Sequence, residues 1–157
     1  MNRCMVAVDM QNFFRPSPGV VAQVNQLTQT MPTAATLLRH DEAQVPLAKM
    51  GKPVPMDNGV LVTTSTVFDK VGFTLPMELL QWLRGQNPDE VLVVGGHTDA
   101  NVLAAGVSLF SAGFAPCIVP LLNYGNDWFR HSVTVKVWEQ EIGKVYASLA
   151  EFKFGGM

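Results

Sequence analysis

The sequence predicts an α/β fold, a three-layer doubly wound parallel sheet of about six strands with helices on both faces. Two patterns predict it. Short apolar runs alternate with longer amphipathic stretches, the rhythm of parallel strands joined by helical crossovers. Each apolar run also ends in polar residues, and ligands of open parallel sheets bind beyond the carboxyl ends of the strands, near the switch point in strand order. The 157 residues suit a single domain spanning 1–157. Hydrophobic residues at 48% against 15% charged exclude a disordered chain.

In chain order, Met5 to Val8 reads as a buried strand stopped by Asp9-Met-Gln-Asn12. Ser17-Pro18 supplies a helix cap and a proline at the first helical position, and Val20, Val24, Leu27 and Met31 fall on one helical face. Ala34 to Leu38 is a second strand, ending at Arg39-His40-Asp41. Three prolines and no clear period make Asp41 to Asn58 a loop, and Val60 to Thr64 reads as the third strand. Thr74-Leu-Pro76 opens a helix that buries Leu79, Leu80 and Leu83 and stops at Gly85. Val91 to Val94 is the clearest strand and runs into Gly95-Gly-His-Thr-Asp99. Asn101 to Ala112, apolar nearly all round, is a buried helix ended by Gly113; Cys117 to Val119 is the next strand. Asp127 and Gly143 bracket a last helix, although Val133, Val135 and Val137 also alternate as a strand would, and Lys144 to Ala147 closes the sheet.

Composition excludes several function classes. Eleven basic and 13 acidic residues leave a formal charge of −2, no electrostatic footprint for nucleic acid. No stretch has the length of a membrane span or of a secretory apolar core. Cys4 and Cys117 cannot make a disulfide framework and read as core packing, so a reduced, cytoplasmic protein is expected. Gly95-Gly96 is not a phosphate-binding fingerprint, and no cofactor is expected.

Val6-Ala-Val-Asp-Met-Gln-Asn-Phe13 resembles the opening strand of the isochorismatase-like cysteine hydrolases, which include nicotinamidases. Gly95-Gly-His-Thr-Asp-Ala-Asn-Val-Leu103 is similar to their nucleophile segment, in which Thr-Asp is followed by one residue and then Cys-Val. Thr63-Thr-Ser-Thr-Val-Phe68 resembles the segment where a lysine stands six residues before the phenylalanine, and His131 with Ile142-Gly143 fits the last helix. The resemblance implies a Rossmann-like sheet, a cis peptide at Gly96-His97, a homodimer or higher homo-oligomer, and a triad of aspartate, lysine and cysteine acting on a small amide, ester or vinyl ether.

Carried over residue by residue, the triad positions are Asp9, Val62 and Asn101. A carboxamide is no thiolate, and valine has neither charge nor donor. The expectation is therefore a homologue without cysteine-based hydrolysis, binding an unidentified small molecule or serving as a scaffold, with Asn101 donating to the Asp9 carboxylate. The alternative is an active hydrolase in which Asp9 or His97 activates water. Gln11, Phe13, Arg39, Thr64, Phe68, Gly96, His97, Thr98 and Ala100 are the expected pocket residues. Arg39 reads either as a clamp for a carboxylate substrate or as a surface ion-pair partner. Asp99 is expected to cap the helix near Asn101, and His131 to be structural. His40 and Asp41, adjacent on one strand end, cannot readily converge on an ion, so no metal is expected.

Overall fold

The computed structural model describes residues 1–57 and 59–155. Among the described residues seven parallel strands form one sheet: β1 (Arg3–Val8), β2 (Thr33–Leu38), β3 (Val67–Lys70), β4 (Glu90–Gly96), β5 (Pro116–Ile118), β6 (Asn123–Tyr124) and β7 (Lys144–Val145). The order is β3-β2-β1-β4-β5-β7, with β6 pairing β4 beyond the end of β5. Val91 and Leu92 of β4 face β5, while Gly95 and Gly96 face β6. The order reverses between β1 and β4, whose registers run from Arg3 opposite Glu90 to Val8 opposite Gly95. That junction is the switch point at which such sheets bind ligands.

Successive β1 residues point to opposite faces, and both faces are buried. Cys4, Val6 and Val8 join Val91 and Val93 under α2 (Met77–Gln86), α3 (Leu103–Ser111) and α4 (Trp128–Glu141). Met5, Ala7, Leu92 and Val94 join Val24 and Leu27 of α1 (Pro18–Leu27) and Phe152 of α5 (Leu149–Phe154). Ser17 caps α1 by accepting from the Val20 N–H, with Pro18 in the first turn. Asp127 caps α4 in the same way through the Arg130 N–H at 3.0 Å, so the alternating valines 133, 135 and 137 lie on a helix.

Several expectations need correction. The third strand lies at 67–70, not 60–64. The backbone of 60–64 is satisfied elsewhere: Leu61 N–H donates to the Met10 carbonyl, and the Asn25 carboxamide bridges the Leu61 carbonyl and the Thr63 N–H. With those groups taken, no ladder to β2 is available. Asn87 ends α2 rather than Gly85, adopting φ 50° and returning its N–H to the Leu83 carbonyl. The segment before α3 is a wide π-type turn over Thr98–Val102, closed by Val102 N–H to the His97 carbonyl. The loop from Asp41 forms turns, and its last residue, Asn58, lies outside the described residues. No described helix is long and apolar enough to cross a membrane.

Candidate functional site

Asp9 leaves β1 with φ 48°, a left-handed conformation that aspartate tolerates better than most residues. It is fully buried, and every polar edge is used. Its N–H donates to Thr36 Oγ1 at 3.0 Å, and that hydroxyl donates back to Asp9 Oδ1 at 2.6 Å. Asp9 Oδ2 meets Lys70 Nζ at 2.8 Å and receives Asn101 Nδ2 at 2.6 Å. The Lys70 ammonium also donates to the Gly72 carbonyl at 2.6 Å. A buried carboxylate is costly unless paired and hydrogen-bonded, and this one is both.

Lys70, not Val62, is the cation beside Asp9. Val62 is buried among the apolar side chains on the α1 face, whereas the cation at Asp9 comes from the last residue of β3. The register that sets Leu38 opposite Lys70 carries the ammonium to the carboxyl end of the sheet. The sequence signal was weak. Val67 and Asp69, which flank Phe68, are exposed, so a lysine closing this short strand looks like a surface residue. Thr36 was likewise unmarked inside an apolar strand.

Asn101 sits where the resemblance places the cysteine, on the turn leading into α3, and its side chain is 3% exposed. It lines a cleft of about 850 Å³ with Ala100, His97, Phe13, Phe14, Leu38 and Phe73, closed on another side by residues 52–57 of the loop. The Gly96-His97 peptide is cis. The Tyr124 ring packs against Gly96 where a Cβ would stand, so only glycine fits there. The His97 ring lies edge-on to Phe14 at 5.1 Å. Burial lowers the His97 pKa from its ordinary value, opposed by the Asp99 charge and a hydrogen bond to the Phe14 backbone.

The remaining expected residues divide. Gln11 braces the site: its Oε1 accepts the Leu38 N–H at 2.7 Å and its Nε2 donates to the Leu38 carbonyl at 3.2 Å. Arg39 does not line the cleft; its guanidinium pairs with Asp69 at 2.9 Å, the ion-pair alternative. Thr64 is at the opposite end of the sheet, donating to the carbonyl of Thr33, the first residue of β2. Phe68 packs into the core beside α2 and α3. Thr98 points away from the cleft, its hydroxyl 2.8 Å from His131 Nδ1. Asp99 lies within the first turn and not at its cap, which is His97 and carries no side-chain capping bond. Burial pushes the Cys4 and Cys117 thiols up, so neither is a ready thiolate.

His40 Nε2 meets Glu42 at 2.9 Å, while Asp41 accepts from the Ala43 N–H and the Gln44 amide. Among the described residues no group of three or more His, Cys, Asp or Glu side chains is placed to hold a metal.

Solved structures share this architecture. An isochorismatase-like hydrolase from Alkaliphilus metalliredigens superposes with a TM-score of 0.78 at 8% identity, over 100% of both chains. The zinc complex of the pyrazinamidase of Pyrococcus horikoshii gives 0.78 at 17% identity, over 93% of this chain and 99% of that one. N-carbamoylsarcosine amidase from Thermoplasma acidophilum gives 0.74 at 18%, over 92% and 95%. No family model and no curated protein matches the sequence. The fold is that of the isochorismatase-like hydrolases.

Proposed function

We propose that this chain is a member of the isochorismatase-like cysteine hydrolase family that has lost thiol-based hydrolysis and binds a small molecule, or acts as a scaffold, through the same cleft. One observation carries the reading: Asn101 stands at the nucleophile position with its carboxamide tied to Asp9 at 2.6 Å. In a hydrolase studied by knockout, removal of the nucleophile alone costs about a millionfold in turnover. Water activation by Asp9 finds little support, because the carboxylate is fully buried and both oxygens are engaged by Thr36, Lys70 and Asn101. His97 favours the second reading more, since it lines the cleft and burial favours its neutral form, the form that can act as a base for water. A reduced cytoplasmic location and self-association belong to the same proposal.

The test is incubation with nicotinamide, isochorismate and panels of esters, thioesters and amides. The expected result is no turnover. Steady hydrolysis that disappears in Asp9→Ala or His97→Ala would overturn the non-catalytic reading. Because Asp9 and Lys70 are already paired, a single change, Asn101→Cys, should restore the three side chains of the family. The expected gain is amide hydrolysis abolished by thiol alkylation, measured as ammonia release.

A further inference from the structure

We infer that the cleft is built for an amphipathic anion: a small molecule with a hydrogen-bond donor at its inner end, an apolar body, and a carboxylate or phosphate at its outer end. This rests on the non-hydrolytic reading above and adds the ligand's chemical class. The inner end is set by Asn101. A carboxylate oxygen only accepts, so the bond to Asp9 Oδ2 fixes Nδ2 towards Asp9 and leaves Oδ1 as the free acceptor. Among the described residues nothing donates to that oxygen, and Asn101, almost fully buried, lines the cleft. A ligand group seated against it therefore gains by donating an N–H or O–H.

The outer end is set by charge. Arg15 and Lys52 line the cleft, both are exposed, and among the described residues neither pairs with a carboxylate. Arg15 is held at φ 51°, its N–H bonded to the Asn12 carbonyl at 3.0 Å, so the turn Asn12–Phe14 fixes where its side chain begins. The acidic residue on the lining, Asp57, is engaged: its oxygens accept from Gln11 Nε2 and the Phe13 N–H, each at 3.4 Å. Those donors are neutral and leave the Asp57 charge in place, so the described lining carries two exposed cations against one carboxylate, an excess of positive charge. Phe13, Leu38 and Phe73 also line the cleft and offer apolar surface to the body of the ligand.

Calorimetric titration tests this with para-carbamoylbenzoate, para-carbamoylphenyl phosphate, the neutral methyl ester of the first, and benzoate, which lacks the donor. At least one carbamoyl anion should bind about tenfold or more tighter than the ester, the scale of a charge-assisted contact. Tighter binding of the phosphate or of the carboxylate identifies which anion the rim prefers. The preference should fall with added salt and vanish in Arg15→Gln/Lys52→Gln, with the ester's affinity and the unfolding temperature unchanged. Benzoate should bind more weakly than its carbamoyl analogue. Equal affinity for anion and ester, a preference that survives the double variant, or no saturation by either anion at millimolar concentration would overturn the inference. Ammonia release from the probes, followed in parallel, would instead count against the non-hydrolytic reading and leave the charge preference readable.

Discussion

Asp9 and Lys70 form a buried ion pair whose parts are not interchangeable with apolar residues one at a time. Removing one partner of such a pair leaves an uncompensated charge in the interior. Lys70→Met should therefore lower the unfolding free energy by about 3–5 kcal/mol in urea titrations, whereas Lys70→Met with Asp9→Asn should recover much of that loss. The histidines make a second prediction at this scale. Burial holds both His97 and His131 below their ordinary value of 6.5, so the folded protein resists taking up their protons. The unfolded chain protonates first as pH falls, and stability present above about 6.5 is lost below it. His97→Asn with His131→Asn should flatten the stability profile between neutral pH and mildly acid pH, read by thermal unfolding. Asp9 was legible in the sequence because it stands at the polar end of an apolar run, and Asn101 because Gly95–Leu103 resembles the family's nucleophile segment. Lys70 was not, because nothing local marks a lysine that closes a short strand as buried.

At the scale of elements, packing decides what a substitution does. Gly106 in α3 lies under the Trp138 ring, which occupies the place a Cβ would take, while Gly85 in α2 has open space there. Alanine favours a helix over glycine by about 1 kcal/mol. Gly85→Ala should therefore stabilise by up to about that amount, and Gly106→Ala should destabilise by about 1–3 kcal/mol through overpacking, both measured by urea unfolding. Element boundaries obey the same logic. The run Val60 to Thr64 has the composition of a strand, but the Asn25 side chain and the Met10 carbonyl take its backbone groups, and the ladder to β2 forms seven residues later. A local signal for α5 is also present in the sequence. Ser148 accepts the Glu151 N–H, and the Glu151 carboxylate reaches back to the Ala147 N–H, a variant of the capping box.

Across the whole molecule, the strand order brings the ends of β1, β3 and β4 together, although their site residues are spread from Asp9 to Asn101. The surface bears on the proposed self-association. Trp128 and Phe129, at the start of α4, are 80% and 69% exposed, an apolar pair that water disfavours. Sedimentation should show a homodimer, and Trp128→Glu/Phe129→Glu should give a folded monomer. The sequence by itself determined the layered parallel sheet, the Asp9 and His97–Asn101 strand ends, and the absence of a cysteine at the position of Asn101. The sheet and the strand ends are local, depending on the period of apolar residues and on the polar residues that end each run, whereas the missing cysteine is what the resemblance of Gly95–Leu103 implies. Only the tertiary structure decided that Lys70 supplies the cation, that Arg39 and Thr64 lie away from the cleft, and that Arg15 and Lys52 stand at its rim. Lys70 depends on register between strands distant in sequence, where a shift of a few residues moves a side chain from the surface to the centre of the site, while Arg15 and Lys52 reach the cleft from a turn and a loop that no local period marks.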